Sequence, residues 1–219
     1  MIPSTRTVVV LAAFALTPCP AARAESAAAA PTAPVDAVWV ELEHNFIYLG
    51  QTAYYSCDGL RDKVRYILQQ AGARPDLKVS MSCVGAGVET TPGVRIKAAF
   101  PAEATPERLA QLAAEAPKRE LLARVTGNGD QLEADAAQFP AVWRRVEFEG
   151  RGRGRIEDGD CELLEQLMER VLVPAGVRVA PESRLSCVPH QLPIGSVRLV
   201  LDTLQKAPEP DAPPQERPH

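Results

Sequence analysis

The sequence predicts an α+β fold. It reads as two copies of a βαββ unit, the first extended by a further helix and strand, with helices on one face of a ferredoxin-like antiparallel sheet and one disulfide in each copy. Three observations predict it. Laid 104 residues downstream without a gap, Ala37-Val38-Trp39 falls on Ala141-Val142-Trp143, and Cys57 and Cys83 fall on Cys161 and Cys187. In all, 13 of the 47 positions from Ala37 to Cys83 repeat, including Glu43, Gly50, Leu60, Leu68, Ala71, Gly72, Arg74 and Ser82, so the match covers a whole unit and not one shared motif. Within each copy, an apolar stripe at helical spacing is followed by residues that alternate between apolar and polar.

Residues 1–24 read as a secretory signal, with Arg6 at the positive start, Val8 to Leu16 as the short apolar stretch and Ala22-Arg23-Ala24 as the cleavage site. An apolar run of this length is too short to cross a bilayer, which takes about 20 residues. Cys19 follows Pro18, a poor fit to the small residue that precedes a lipidated cysteine, so a lipid anchor is not expected. Residues 25–36 form an Ala/Pro linker and 206–219 a Pro-rich polar tail, both expected to be disordered for want of apolar surface. Without Arg6 and Arg23, 22 basic residues face 28 acidic ones. A mature chain at −6 is no obvious nucleic-acid binder.

The first repeat, 37–126, opens on a strand and continues into a helix whose Leu60, Val64, Ile67, Leu68 and Ala71 line one face. Ser56 stands at its N-cap and Gly72 at its left-handed C-cap. A strand returns to Cys83, and Val94, Ile96, Ala98 and Phe100 alternate through a third. Thr105-Pro106-Glu107 opens a second helix, which Pro117 should end, leaving Glu120 to Val125 as a last strand. A linker, 127–140, leads to the second repeat, 141–205. There Val142–Phe148 is the first strand, Asp160 caps the helix Cys161–Val173, which Pro174 should end slightly early, and strands Val177–Cys187 and Ser196–Thr203 follow.

Four cysteines remain after signal removal, an even number suited to an oxidising compartment, and four allow three pairings. The geometry of the repeat selects one. About 14 helical residues advance roughly 21 Å, and about seven strand residues return roughly 23 Å. Each second cysteine therefore comes back to the first, pairing Cys57 with Cys83 and Cys161 with Cys187. Each link is worth on the order of 3 to 4 kcal/mol in the chain-entropy account. No CxxC supports a redox centre.

The copies differ in the loop before the first helix. Phe46, Tyr48, Tyr54 and Tyr55 cluster there, where the second copy has Arg151-Gly152-Arg153-Gly154-Arg155. The aromatic loop either offers contact area to a partner or packs the junction between the copies. The basic loop reads as a solvated segment. His190, in Cys187-Val188-Pro189-His190, is a further candidate binding residue; with Cys187 oxidised it makes no metal site, and no metal or cofactor is expected. No Gly-x-Ser-x-Gly elbow places a nucleophile, and Glu157, Asp158, Asp160 and Glu162 gather at a helix start, where capping and the macrodipole account for them.

The strings Tyr54-Tyr55-Ser56-Cys57-Asp58-Gly59-Leu60, Gly159-Asp160-Cys161-Glu162-Leu163-Leu164-Glu165-Gln166 and Cys187-Val188-Pro189-His190-Gln191 resemble those of an uncharacterised group of bacterial exported proteins. The resemblance covers most of the mature chain and implies export; it implies no activity. The expectation is a non-catalytic periplasmic or secreted binding or assembly module whose partner is another exported protein or a cell-envelope component. Two other readings are a small exported hydrolase using His190 with a nearby carboxylate, which requires His190, Glu89 and an acid from the second helix start to meet in one cleft, and an inhibitor or chaperone-like protein for another exported enzyme.

Overall fold

A computed structural model describes residues 33–83, 87–89, 91–126, 137–150, 155–192 and 197–208. The signal, most of both linkers, Arg151 to Gly154 and the tail beyond Pro208 lie outside the described residues.

In chain order the elements are β1 (Val35–Ile47), β2 (Tyr55–Ser56), α1 (Cys57–Gln70), β3 (Lys78–Ser82), β4 (Val88–Glu89), β5 (Gly93–Glu103) and α2 (Pro106–Thr126), then β6 (Phe139–Glu149), a 3-10 turn (Asp158–Asp160), α3 (Cys161–Leu167) with a π-helical last turn (Met168–Leu172), β7 (Arg178–Val179) and β8 (Arg198–Lys206). Six strands form one sheet in the order β3-β5-β1-β6-β8-β7, every neighbouring pair antiparallel. β2 and β4 form a separate two-stranded ribbon.

Both halves of the chain contribute to this sheet, and they meet at a short seam. β1 pairs with β5 from Ala37↔Glu103 to Ile47↔Gly93, and β6 with β8 from Ala141↔Lys206 to Glu149↔Arg198. Between β1 and β6 the register is Val35↔Ala141, Asp36↔Pro140 and Ala37↔Phe139. Asp36 thus faces the residue 104 positions downstream of itself, and the pairs on either side exchange under the same offset.

Strand alternation gives the sheet two different faces. Phe46, Ile96, Phe100, Phe148, Leu199 and Leu201 pack in one core with Leu60, Val64, Ile67 and Leu68 of α1 and with Leu163, Leu164, Leu167, Val171 and Leu172 of the second helix. On the other face Ala37, Phe139, Ala141 and Leu204 form a smaller cluster, with Val35, Trp39 and Trp143 packed against it.

Both helices close alike. Ala73 N–H donates to Leu68 O and Val177 N–H to Leu172 O, each at 3.0 Å, around Gly72 at φ 95° and Gly176 at φ 89°. This six-to-one bond needs a left-handed residue, which glycine supplies without a Cβ penalty. Pro174 ends the second helix early, as expected: it stops at Leu172, whereas the first runs to Gln70, the counterpart of Pro174. Val173 N–H reaches back five residues to Met168 O, so the last turn widens into a π turn.

The two expected disulfides are present, Cys57–Cys83 with Cα atoms 6.6 Å apart and Cys161–Cys187 with Cα atoms 5.5 Å apart. Three expectations are corrected. α2 runs through Pro117 to Thr126, so Glu120 to Val125 is helix and not a strand. An interior proline costs a helix about 3 kcal/mol, but the run on either side is rich in Ala, Leu, Glu, Lys and Arg, which favour helix. The place beside β1 is taken instead by β6. The expected strand Val177–Cys187 shrinks to Arg178–Val179, with Pro181 unable to extend a ladder and a single bridge Arg184↔Arg198 beyond it. The linker before the first strand is shorter than expected, because Val35 and Asp36 already pair.

Candidate functional site

The aromatic loop leaves β1 at Ile47 and crosses to the start of the second helix. Three backbone and side-chain donors of the loop fasten onto one carboxylate: Gln51 N–H at 2.7 Å and Thr52 N–H at 3.1 Å donate to Glu162 Oε2, and Thr52 Oγ1–H at 3.0 Å donates to Glu162 Oε1. Gln166 adds a reciprocal pair, accepting from Leu49 N–H at 3.2 Å and donating to Leu49 O at 2.9 Å. Glu162 is buried, and a buried carboxylate survives only with such partners.

Asp160 is the second anchor. Its side chain is 1% exposed and receives Lys63 Nζ of α1 at 2.8 and 2.7 Å on its two oxygens, the Tyr55 hydroxyl, and Glu157 N–H at 2.8 Å. The ammonium of Lys63 also lies 5.2 Å from the Tyr55 ring centroid, and the Tyr48 and Tyr55 rings are 5.7 Å apart. Burial, with the negative charge of Glu162 and Asp160 nearby, raises the Tyr48 phenol well above its ordinary value. Burial and then the Asp160 carboxylate do the same to Tyr55. Glu165, one turn along the helix, is raised by burial and by Glu169 and Glu162.

The candidate residues read from sequence are divided by this arrangement. Phe46 and Tyr48 are in the core, with Arg170 stacked 5.5 Å from the Phe46 ring and the Tyr48 hydroxyl donating to Ala53 O at 3.3 Å. Tyr55 is half-buried in the Asp160 cluster, and Tyr54 is 48% exposed. His190 sits on an exposed turn closed by Gln191 N–H to Val188 O, in the left-handed region at φ 61°. Thr52 Oγ1–H at 3.4 Å from Val188 O brings that turn against the aromatic loop, and the ribbon pairs Tyr55 with Glu89. The loop, the Val88 ribbon and the 188–191 turn therefore gather at one end of the molecule.

Sequence reasoning missed Lys63, Asp160 and Glu162. An acid before a helix reads as a cap, yet Asp160 makes no side-chain cap bond to α3 and turns inward to α1. The capping reading holds for Asp160, whose carboxylate accepts from Glu157 N–H in the capping box of the 3-10 turn, but the solvation reading of Asp160 and Glu162 is corrected, since both are buried and bonded to the first half of the chain. What the arrangement does chemically is clamp. The two carboxylates hold the loop and α1 against the second helix, and five large apolar side chains of the neighbouring segments, Leu49, Tyr54, Val88, Val188 and Leu192, are between 44% and 66% exposed, alongside exposed Gln51, His190 and Gln191. None of the described helices is long and apolar enough to cross a membrane.

The chain matches no protein-family model, no curated protein and no solved structure.

Proposed function

We propose that the chain is a non-catalytic binding or assembly module that works in the periplasm or as a secreted protein, on another exported protein or a cell-envelope component. The observation that carries this reading is the combination at one end of the molecule: acidic groups committed to holding the loop in place, and large apolar side chains, Leu49, Tyr54, Val88 and Val188, left facing solvent around them. Exposed apolar residues on a rigidly held loop suit partner contact more than chemistry. Two disulfides support an oxidising compartment, as does the N-terminal signal pattern.

In this reading the module is a duplicated βαββ unit. The support is the 104-residue offset, which relates the cysteines, the helix closures and the seam register alike. The first copy takes a ferredoxin-like strand order by borrowing β6 as its fourth strand, so neither copy completes its sheet alone.

The test separates contact residues from clamp residues. The mature protein, a Tyr54→Ser/Val188→Ser variant and a Tyr55→Phe variant are immobilised beside one another in envelope extract, and any retained partner is purified and its affinity measured. The reading expects the double variant to lose affinity at unchanged melting temperature. A partner held equally by all three would remove this surface from the account, and no partner for any of them would leave the binding reading without support.

A further inference from the structure

β1 outruns its partner on one side. Its register with β5 spans Ala37 to Ile47, but its register with β6 ends at Ala37↔Phe139. Asp36 O accepts from Ala104 N–H and Tyr48 N–H donates to Pro92 O, so the even-numbered residues of β1 bond towards β5. By strand alternation the odd-numbered ones point the other way. The N–H and C=O groups of Trp39, Glu41, Glu43 and Asn45 therefore face the side that β6 has left, and no hydrogen-bond partner for them occurs among the described residues.

The core face shows that this side is open. Phe100, Ala98 and Ile96 of β5 are buried, whereas their partners on β1, Val40, Leu42 and His44, are only half-buried. Burial thus falls off towards the free edge. On the opposite face Glu41 and Glu43 are exposed. Glu43 reaches Lys97 on β5 at 3.2 Å, and Glu41 has no ion pair among the described residues.

The chain's own candidates for this edge are repelled by it. Continued past Ala37↔Phe139, the seam register would set Glu41 against Asp135 and Glu43 against Glu133, and like charges directly opposite destabilise a strand pair. A second copy of β1 laid antiparallel about Leu42 would set Glu41 against Glu43. The equivalent edge of β6 differs, because its charges are already answered: Arg145 by Asp202 and Glu182, and Glu147 by Arg198.

We propose that the free edge of β1, from Trp39 to Asn45, is a docking site for an extended segment of another polypeptide that alternates basic and apolar residues and joins the sheet as a strand. Unpaired strand edges are templates for such addition, in which main-chain bonds give affinity and alternate side chains give specificity. Basic side chains of the added strand lie opposite Glu41 and Glu43 on the outer face, and its apolar ones cover Val40 and Leu42 on the core face. This edge is separate from the loop surface of the proposed function, so the two stand or fall independently.

The probe is a short end-capped peptide that alternates lysine and valine, with a glutamate and valine counterpart as control. Its binding to the mature chain is followed by the anisotropy of a dye on the peptide and by amide hydrogen exchange of the protein. The proposal expects saturable binding of the lysine peptide alone and slowed exchange at the amides of Trp39, Glu41, Glu43 and Asn45. It expects about tenfold weaker binding to Glu43→Pro, which loses an outward N–H while keeping the bonds to β5. Should that variant melt below the parent, N-methylated peptides make the same test on the unaltered chain. Methylation of the lysine amides, which face β1 in this register, should abolish binding, and methylation of the valine amides should spare it. Equal binding of both methylated peptides, or binding with protection only at other residues, would reduce the contact to general attraction for an acidic surface and overturns the proposal. So does the absence of binding by the lysine peptide.

Discussion

The ammonium of Lys63 on α1 lies 2.7 and 2.8 Å from the two carboxylate oxygens of Asp160, a residue 97 positions away at the head of the second helix. The pair is almost closed to solvent, with the Lys63 side chain 16% and the Asp160 side chain 1% exposed. Among the described residues it is the shortest ionic link between the two halves of the chain, and Tyr55 shares it.

Removing one member strands the other. Lys63→Met leaves a buried carboxylate with only Tyr55 and the Glu157 amide, and is expected to cost about 3 kcal/mol by the usual penalty for breaking a buried pair. Lys63→Met combined with Asp160→Asn should recover a large part of that loss. Urea denaturation of the single and double variants measures it, and equal stabilities for the Lys63 variant and the parent would show the pair to be inert.

Alkali should act through Tyr48 and Tyr55. Their phenols are raised in the folded state, so between the unfolded value near 10 and the folded one the folded chain holds more protons. Stability is then constant below about pH 10 and falls as pH rises above it. Absorbance at 295 nm should record the phenolate of these two residues in the same step as the loss of far-UV dichroism. Ionisation of both well before unfolding would contradict the burial of their hydroxyls.

The two helix-closing glycines should respond unequally to the same change. Both need a positive φ, which costs an alanine about 1 to 2 kcal/mol. A Cβ on Gly72 would stand 2.8 Å from Leu204 O, whereas one on Gly176 meets nothing within 4 Å. Gly72→Ala is therefore expected to destabilise clearly more than Gly176→Ala in thermal melts.

Glu165 works against the fold at neutral pH. Its carboxyl is raised by burial and by Glu169 and Glu162, so the folded chain binds the proton more tightly and stability falls as pH rises through the unfolded value of 4.5 to the folded one. Glu165→Gln should melt higher than the parent at pH 7, with the gap closing at pH 3. A gap that persists at pH 3 would mean the effect is packing and not charge.

Much of the fold was legible because it rests on periodicity and local chemistry. The stripe from Leu60 to Leu68, the glycines at 72 and 176 and the cysteine spacing each report a local constraint, and each has its expected place in the structure. What escaped was context. Glu120 to Val125 was read as a strand because Pro117 was expected to end the helix, whereas the helix-favouring run on both sides carries it through the proline to Thr126. Asp160 was only half read for a related reason: it caps as its residue type and position suggest, but its further partners Lys63 and Tyr55 come from another part of the chain. No spacing rule announces a contact of that kind.

The seam has a consequence for where this chain needs to begin. Val35 pairs with Ala141 on one side of β6, and Ala207 bonds to Pro140 on the other, so the folded body starts and stops two strand spacings apart, about 10 Å. A short peptide can join those ends, and the chain can be opened afresh between Thr126 and Phe139, where the first half passes to the second. The rearranged polypeptide would enter the sheet at β6 and leave it through α2 with every strand pair and both disulfides retained. Circular permutation at that point should therefore return the same fold.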